Sequence, residues 1–467
     1  MLYNIVLRNV RKRYEYEELV KIFLHEDEYE IYALEQKVQG VFITEKQLEK
    51  EIEALDNCLY FSLEGETKEA KNRLKGEIFD CLSEITGIRP PWGSLTGVRP
   101  VKLCGMLQNP FKELTSDYRV SPHKAEEICK IYDYQQKMLN KCDERTIGMY
   151  IGIPFCPTRC LYCSFTSNQP SGDAVDRYLE ALIKEIRYCG KKIKEQKLKV
   201  ESVYIGGGTP TTLDETQLER LLKTVSESID TDNLAEYTVE AGRPDTITRG
   251  KLAVLHSYGV GRISINPQSM KEDTLNLIGR SHSPEDIRRA FREAEKSGIP
   301  VINADLIAGL PEETPEDFRR SLNEVVSLGA ENITVHSLAV KKASRLIEKD
   351  PDYHFRSRDT VTEMIDIADE ILTGRGYVPY YLYRQKHMSG SLENVGYCRD
   401  DTLGIYNIRI MDESQSVLAC GAGAISKRYY PEENRIERVA DVSNYEIYIE
   451  RIDEMIERKE KDFFNWR

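Results

Sequence analysis

Three cysteines, Cys156, Cys160 and Cys163, are the residues of this sequence whose spacing most clearly predicts chemistry. They stand four and then three residues apart, so their thiolates can surround one side of a small metal cluster. Three thiolates leave one iron of a cubane [4Fe–4S] cluster without a protein ligand, and such an open iron can bind a substrate or a cofactor. Zinc usually takes four ligands, and no second cysteine pair follows. The spacing therefore favours an iron–sulfur cluster over a zinc site.

A glycine-rich turn, Gly206-Gly207-Gly208-Thr209-Pro210, follows an apolar run farther along the chain. Glycines let a backbone approach a ligand closely and expose its N–H and C=O groups. No Gly-Lys-Ser/Thr follows, so the turn is not a P-loop, and its spacing is not Gly-x-Gly-x-x-Gly. Taken alone, the turn is also typical of an ordinary connection between a strand and a helix.

Polar residues recur where later apolar runs end, at Glu240, Gln268 and Asp305. A charge inside an apolar strand is costly unless it has a partner. A single such residue favours a structural hydrogen bond, whereas three on successive strands, all toward one end, favour a ligand-binding site. Three arginines lie near them in the sequence: Arg243, Arg262 and Arg280.

The elements that must position these residues alternate regularly between 149 and about 340. The predicted strands are 149–153, 202–206, 236–241, 262–266, 301–308 and 332–338. The predicted helices between them are 175–189, 215–228, 248–257, 284–297 and 315–328. Continuous apolar runs are typical of a parallel sheet covered by helices. Six such units predict an α/β fold built on a partial (β/α)6 TIM-type barrel that is open on one side.

The segments around this barrel differ from it in pattern. Residues 1–145 predict an N-terminal α+β accessory domain, 146–340 the barrel, and 341–467 a C-terminal α+β domain that covers the barrel. Within the rigid stretch before the barrel, packing of Trp92 against a domain face is favoured over a ligand contact. The small residues at 420–426 are interpreted as part of a strand that packs tightly or lies against a flat ligand.

The composition excludes several classes of function. The 467 residues carry a net charge of -13, which argues against general nucleic-acid binding, because that needs a basic face. No apolar run of eighteen residues and no basic-then-apolar leader occurs, so we expect a soluble, cytoplasmic protein without a membrane span. Eleven cysteines in so long a chain do not form a disulfide framework, and the eight outside the triplet are expected to be buried thiols.

The cysteine spacing on the first loop of a partial barrel resembles the radical S-adenosylmethionine (SAM) superfamily. The resemblance implies that the open iron binds SAM and that reductive cleavage of SAM gives a 5′-deoxyadenosyl radical. Residues from about 148 to 430 are similar to the oxygen-independent coproporphyrinogen III oxidase group, which includes the HemN oxidases, the HemW haem chaperones and the HemZ branch. The motifs that carry this similarity are Tyr150-Ile151-Gly152-Ile153-Pro154-Phe155-Cys156, the glycine-rich turn, Asp305-Leu306-Ile307-Ala308-Gly309-Leu310-Pro311 and Gly421-Ala422-Gly423-Ala424. The stretch Pro91-Trp92-Gly93-Ser94-Leu95-Thr96-Gly97 resembles the HemZ branch, the coproporphyrinogen dehydrogenases.

The resemblance implies roles for individual residues. It makes Cys156, Cys160 and Cys163 the cluster ligands and puts Tyr162 beside the adenine. The other residues implied to contact one SAM or a second are Tyr150, Gly207, Gly208, Thr209, Glu240, Gln268, Arg280, Asp305 and Ala339. The implied partners are a tetrapyrrole substrate and a reducing donor such as flavodoxin or ferredoxin.

The implied reaction removes a hydrogen from a propionate β-carbon and then releases CO₂, so that a vinyl group remains. Performed twice, it converts coproporphyrinogen III into protoporphyrinogen IX. Three arginines are candidates to bind the substrate carboxylates: Arg243, Arg262 and Arg384.

Two positions depart from the oxidases. Where they carry a fourth cysteine and a histidine, this chain has Phe165 and Gly152, respectively. The chaperones bind haem through a His-Asn-x-x-Tyr-Trp motif, and the corresponding segment 393–398 lacks both its histidine and its tryptophan. Tetrapyrrole decarboxylation is therefore favoured, and the alternatives are a haem-binding or haem-delivery protein and an enzyme that alkylates or opens haem.

Overall fold

The computed structural model describes residues 2–33, 55–97, 99–139, 142–163, 168–169, 173–339, 346, 350, 353, 358–385, 392–399 and 401–465. Contacts divide the chain into two compact units. The first consists of Met1–Asp133, Arg384–Lys386 and Gly390–Leu392, and the second contains the remaining residues. This division falls at 133 and keeps most residues after 340 with the barrel. It is a division by contacts into two units, so the three domains expected with boundaries at 145 and 340 stay predictions.

The first unit contains a three-stranded parallel sheet in the order β2–β1–β3. Its strands are β1 (Tyr3–Arg8), β2 (Tyr29–Ala33) and β3 (Cys58–Ser62). Its helices are α1 (Tyr14–Val20), α2 (Lys68–Thr86), α3 (Pro100–Cys104), α4 (Pro110–Ser116) and α5 (Pro122–Met138), the last of which ends in the second unit. Helix α2 begins at Thr67, whose hydroxyl accepts a hydrogen bond from the Ala70 amide, and ends at the left-handed Gly87. The buried faces of the sheet, α1 and α2 form the core of this unit.

Trp92 is packed inside the first unit. Its side chain is 1% exposed, and the guanidinium of Arg384 lies 5.0 Å from its ring centroid, within cation–π range. The same guanidinium donates a hydrogen bond to the carbonyl of Leu95. The packing role expected for Trp92 is confirmed, and these contacts give no support to Arg384 as a ligand of substrate carboxylates.

The second unit is organised around six parallel strands that follow one another in order within a larger, eleven-stranded sheet. They are β4 (Thr146–Ile153), β5 (Lys199–Gly207), β6 (Glu236–Glu240), β7 (Arg262–Ser264), β8 (Val301–Ala308) and β9 (Asn332–Ser337). The helices between them are α6 (Ala174–Glu195), α7 (Glu215–Ser228), α8 (Arg249–Ser257), α9 (Glu272–Leu277), α10 (Pro284–Ser297) and α11 (Pro315–Ser327). All six predicted strands are confirmed, and among the residues that the structure describes the first and last strands of the sheet do not pair with each other. The predicted partial barrel is therefore confirmed; the short helix α9 was not predicted.

Helices α10 and α11 begin at capping residues that are recognisable in the sequence. Ser283 and Thr314 each form a capping box with an aspartate three residues later, Asp286 and Asp317, and a proline follows each cap. Helix α10 ends at Gly298, which has a φ of 81°. These caps explain why both helix starts could be predicted from sequence alone.

Residues after 358 extend the sheet of the barrel on both sides. On one side, β12 (Ser416–Cys420) pairs in parallel with β4 and is followed by the antiparallel strands β13 (Ile425–Tyr430) and β14 (Arg435–Ala440). On the other side, β11 (Glu393–Cys398) pairs with β9, and β10 (Val378–Arg384) forms the edge. The helices of this part are α12 (Arg358–Gly374), α13 (Ile405–Asp412), α14 (Tyr445–Glu450) and α15 (Ile452–Asp462). No helix in the described ranges is long and apolar enough to cross a membrane.

The prediction of a continuous strand through 420–426 is wrong. Strand β12 ends at Cys420 and β13 begins at Ile425, with Gly421 and Gly423 between them at φ values of 112° and 74°. Such positive φ angles favour glycine. A Cβ at Gly421 would lie 2.6 Å from the carbonyl oxygen of Gly152. The small residues are thus required by a turn that packs against β4.

A buried ion cluster holds this turn against helix α6. The ammonium of Lys459 binds the carboxylates of Glu185 at 2.6 Å and Asp441 at 2.5 Å, and all three side chains are fully buried. The carboxylate of Glu185 also accepts hydrogen bonds from the Gly421 amide at 2.8 Å and the Tyr448 hydroxyl at 2.6 Å. The C-terminal helix is therefore joined, through one carboxylate, to the turn beside β4.

Candidate functional site

The cysteine loop, residues 156–163, leaves the carboxyl end of β4 as predicted. The amide of Cys156 donates to the carbonyl of Asn168, and the Asn168 amide donates to the carbonyl of Pro154, both at 3.0 Å. The loop is therefore closed at its base by the returning chain. Burial raises the pKa of the Cys156 thiol, and the nearby Cys163 and Cys160 raise it further, so the three sulfur atoms share one environment.

A single metal ion and a cubane cluster require different separations of the three thiolates. Within the described ranges, no three His, Cys, Asp or Glu side chains are close enough to hold one metal ion. A cubane cluster separates its thiolates more widely, because each thiolate binds a different iron. Three thiolates on one loop can bind three irons of such a cluster and leave the fourth iron open.

The cysteine loop rests on the connection between β7 and α10. The hydroxyl of Thr158 donates to the carbonyl of Gly279 at 3.0 Å, and the amide of Leu161 donates to the carbonyl of Ile278 at 2.9 Å. Two bonds from opposite halves of the loop thus fix its conformation. Neither contact could be read from the sequence, because the partners are carbonyl groups far along the chain.

Tyr162 and Arg280, both expected to contact SAM, lie together. The Nη2 of Arg280 is 3.4 Å from the Tyr162 hydroxyl, and its Nη1 donates to the carbonyl of Asn266 at 2.6 Å. Burial raises the pKa of Tyr162, while the charge of Arg280 opposes this. The phenol therefore stays neutral and can present a flat, uncharged face to a base such as adenine.

The glycine-rich turn lies directly against the cysteine loop. The amide of Gly208 donates to the carbonyl of Ile153, and the amide of Thr209 donates to the carbonyl of Phe155, both at 2.7 Å. A Cβ at Gly208 would lie 2.5 Å from the Phe155 oxygen and 2.9 Å from the Cys156 sulfur. Only glycine permits this approach, so the turn forms one wall of a cradle beside the first cysteine.

Glu240, at the end of β6, is half-buried behind this turn. Its carboxylate accepts hydrogen bonds from the Tyr204 hydroxyl at 2.6 Å and from the Gly207 amide at 3.2 Å. Burial raises the pKa of Glu240 to about 7, and the nearby Asp305 adds to this, although the two hydrogen bonds oppose it. The carboxyl group can therefore change its charge near neutral pH, as groups at functional sites often do.

Three tyrosines fill the interior of the barrel beneath these groups. The ring of Tyr204 lies 4.6 Å from that of Tyr406, and Tyr150 stacks on both at 6.4 Å between centroids. Tyr150 was expected at the site, whereas the other two were missed. Alternation along β5 could have placed Tyr204 on the inner face with Gly206, but nothing in the sequence signals that helix α13 brings Tyr406 into the barrel.

Gln268 and Asp305 are adjacent at the carboxyl end of the sheet. The amide of Gln268 donates to the Asp305 carbonyl at 2.9 Å, and the Ile307 amide donates to the Gln268 carbonyl at 3.0 Å. Gln268 has a φ of 67°, a strained conformation that is common at functional sites. The side-chain oxygens of Gln268 and Asn266 are buried and have no hydrogen-bond partner among the described residues. They can accept hydrogen bonds from a bound ligand.

His336, on β9, is a further polar residue of the interior that the sequence did not single out. Its Nε2 lies 3.6 Å from the Asp305 carboxylate, and its Nδ1 lies 3.5 Å from the hydroxyl of Tyr383. Ala339 follows the same strand and is half-buried at its carboxyl end. Strands β8 and β9 thus complete the polar side of the barrel mouth.

Arg262 is engaged away from this mouth. It begins β7, and its guanidinium donates to the Asn303 side chain at 2.8 Å and to the carbonyls of Thr402 and Leu403 at 2.7 and 3.0 Å. It therefore closes the opposite end of the barrel. Residues at that end usually stabilise the fold and do not bind ligands. The proposal that it binds substrate carboxylates receives no support.

Two departures from the oxidases were noted in the sequence. Phe165 lies outside the described residues. Gly152 is described, and its carbonyl accepts a hydrogen bond from Tyr178 at 2.7 Å. A Cβ at Gly152 would lie 3.4 Å from the ring of Tyr150, so the tyrosine occupies space beside this position.

Comparisons with known proteins identify the family. The model of the radical SAM superfamily matches residues 150–325. The oxygen-independent coproporphyrinogen-III oxidase-like protein HemZ of Bacillus subtilis is 40% identical over 408 residues, which cover 84% of this chain and 81% of that protein. The chain belongs to the radical SAM superfamily. Within it, the chain belongs to the HemZ branch of the coproporphyrinogen III oxidase-like group.

Two further matches place this radical SAM protein among its relatives. The haem chaperone HemW of Bacillus subtilis is 35% identical over 235 residues, which cover 50% of this chain and 61% of HemW. The structure of coproporphyrinogen III oxidase (HemN) from Escherichia coli superposes with a TM-score of 0.54 at 22% identity and covers 69% of this chain and 72% of that chain. The likeness to HemN shows the fold alone. Membership of the superfamily implies a [4Fe–4S] cluster and SAM, and the cysteine loop and the glycine cradle fit both.

Proposed function

We propose that this radical SAM protein decarboxylates two propionate groups of coproporphyrinogen III to vinyl groups and so produces protoporphyrinogen IX for haem biosynthesis. The observation that carries the proposal is the extent of the similarity to HemZ, a coproporphyrinogen-III oxidase-like protein. It covers 84% of this chain and so reaches well beyond the superfamily segment 150–325.

The residues of the site have distinct tasks in this proposal. Cys156, Cys160 and Cys163 hold the cluster, with flavodoxin or ferredoxin as the electron donor. The glycine-rich turn would hold SAM, Tyr162 would lie beside its adenine, and Glu240 would face its cationic groups. When bound, the cluster and SAM supply a 5′-deoxyadenosyl radical.

The barrel interior supports one direction of entry for the proposed substrate. The tyrosine stack of Tyr150, Tyr204 and Tyr406 fills the lower interior, so the tetrapyrrole approaches from the carboxyl ends of the strands. The reacting propionate must be ionised, because CO₂ leaves from the carboxylate once the β-hydrogen has been removed. One electron leaves with each decarboxylation, and an acceptor must take it. Two propionates need two SAM molecules, bound together or one after the other.

The direct test is an anaerobic reaction of the cluster-loaded full chain with SAM, a reductant and coproporphyrinogen III. We expect two molecules each of 5′-deoxyadenosine and CO₂ for every protoporphyrinogen IX. The Cys160→Ser variant is the control and should produce neither vinyl product nor 5′-deoxyadenosine. A wild-type protein with a full cluster that cleaves SAM without forming a vinyl group would contradict the proposal.

The second candidate function is haem binding or delivery, which the similarity to HemW favours. Segment 393–398 corresponds to the haem-binding motif of the chaperones, but here it forms the buried strand β11. Tyr397 and Cys398 are each 1% exposed, with the Tyr397 hydroxyl 3.4 Å from Asp369 and the Cys398 sulfur 3.7 Å from the Tyr134 hydroxyl. Stoichiometric haem binding that is lost on replacing Tyr397 or Cys398, without a vinyl product, would support this candidate. A methylated or linear tetrapyrrole in the same reaction would instead indicate a haem-modifying enzyme.

A further inference from the structure

The loop that carries the three cysteines is fixed at its centre by an arginine. Thr158 stands between the first two cysteines, and its hydroxyl accepts a hydrogen bond from Nη1 of Arg243 at 2.9 Å while it donates to the Gly279 carbonyl at 3.0 Å. A hydroxyl that makes both bonds has a defined orientation. Arg243 therefore helps to set the path of the loop between Cys156 and Cys160.

Arg243 is itself held by Asp245. Its Nε and Nη2 donate to the two carboxylate oxygens of Asp245 at 3.0 and 3.2 Å, the paired geometry that guanidinium groups favour. The Arg243 side chain is 4% exposed, so water screens this pair weakly. With three hydrogen bonds to Asp245 and Thr158, the guanidinium is a fixed structural charge and not a free ligand for substrate carboxylates.

His282 supports the same carboxylate from the other side. Its side chain is fully buried, and its Nδ1 lies 3.4 Å from Asp245. Burial raises the pKa of Asp245, but the contacts with His282 and Arg243 outweigh this and hold the pKa far below its usual value. Asp245 is therefore an anion throughout the neutral range, and burial lowers the pKa of His282, which favours its neutral form.

The charge of Arg243 reaches the cluster ligands. The Nη1 of Arg243 is hydrogen-bonded at 2.9 Å to Thr158, which stands two residues from both Cys156 and Cys160. A reduced cluster carries one more negative charge than an oxidised one. A nearby buried cation therefore stabilises the reduced form, and a nearby buried anion destabilises it.

We propose that Arg243 is a positioning residue of the cluster loop that also sets the reduction potential of the iron–sulfur cluster, and that Asp245 moderates its charge. This inference rests on cluster binding and not on the tetrapyrrole reaction. The two proposals can therefore fail separately.

The test is an EPR-monitored redox titration of the anaerobic, cluster-loaded full chain, without SAM or substrate and at matched iron content. Arg243→Met should lower the ratio of reduced to oxidised cluster at a given potential by about tenfold, which equals 59 mV for one electron. Asp245→Asn should shift it in the opposite direction, because the arginine charge is then no longer offset. Thr158→Val removes the loop contact, keeps both charges, and should shift the potential least of the three.

Two variants control for simple structural damage. Arg249→Met removes an exposed arginine from the neighbouring helix α8 and should leave the potential unchanged. Arg243→Lys keeps the charge, so its potential should stay close to that of the wild type even if Arg243→Met holds too little cluster to measure. The inference is overturned if Arg243→Met and Asp245→Asn shift the potential in the same direction, or if Arg243→Lys shifts it by tenfold.

Discussion

Glu240 is expected to make SAM binding depend on pH. Burial and the proximity of Asp305 raise the pKa of Glu240 to about 7, so half of the carboxyl groups are neutral at that pH in the ligand-free protein. SAM carries positive charge on its sulfonium and ammonium groups. If its cationic end lies beside Glu240, as we propose, then SAM binds best to the ionised carboxylate, and binding below pH 7 must first release a proton.

The size of the effect follows from proton linkage. Well below pH 7, each pH unit should weaken SAM binding by about tenfold, or about 1.4 kcal/mol. Above pH 8 the affinity should be constant. Glu240→Gln keeps the shape of the side chain but has no charge to lose, so its SAM affinity should be weak and independent of pH.

Isothermal titration calorimetry of the cluster-loaded protein between pH 5.5 and 8.5 can measure both curves. Titrations in two buffers of different ionisation enthalpy should also show uptake of a proton by the buffer as SAM binds at pH 6, and no such uptake for Glu240→Gln. A wild-type affinity that is the same at pH 5.5 and 8.5 would refute the contact between SAM and Glu240. So would a pH dependence that survives in the Gln variant.

Two further substitutions test the packing on which the site depends. Gly208→Ala should reduce the iron content and abolish SAM binding, because its Cβ would lie 2.9 Å from the Cys156 sulfur. The control Gly261→Ala, whose Cβ meets no atom within 4 Å, should retain both the iron and SAM binding. Full iron content in Gly208→Ala would contradict this reasoning. Lys459→Met should lower the free energy of unfolding by about 3 kcal/mol, because it leaves two buried carboxylates without a counter-ion. Urea unfolding of Lys459→Met should show a smaller loss of unfolding free energy at pH 5 than at pH 8. The control Lys461→Met, on the exposed side of the same helix, should change the unfolding free energy little. Equal losses for the two lysines would contradict the role of the buried ion cluster.

The barrel could be predicted because its signals are local and repeat along the chain. Each buried parallel strand is a continuous apolar run, and the order of strands and helices determines which residues lie at the carboxyl end of the sheet. This is why Glu240 and Asp305 were expected at one site, and the structure indeed has Glu240 close enough for Asp305 to raise its pKa. The cysteine loop followed from the same argument, since it directly follows the first strand.

The orientation of arginines could not be predicted in this way. Arg243, Arg262 and Arg280 all stand near strands, and the sequence gives each the same charge and length. Only Arg280 contacts another residue expected to bind SAM, whereas Arg243 pairs with Asp245 and Arg262 bonds carbonyls at the opposite end of the barrel. These partners are set by tertiary contacts between distant segments, for which a single sequence has no signal.

Two different networks therefore act on the cysteine loop. The glycine-rich turn donates hydrogen bonds to the carbonyls of Ile153 and Phe155, just before the loop, and Glu240 accepts a hydrogen bond from the Gly207 amide of this turn. Together they define where a ligand can lie. Arg243 and Asp245 contact it through Thr158 and contribute fixed charge. Substitution of Glu240 in the first network should weaken SAM binding and remove its pH dependence. A substitution in the second should alter the potential and leave the pH dependence in place, because the group that titrates near pH 7 is not part of it.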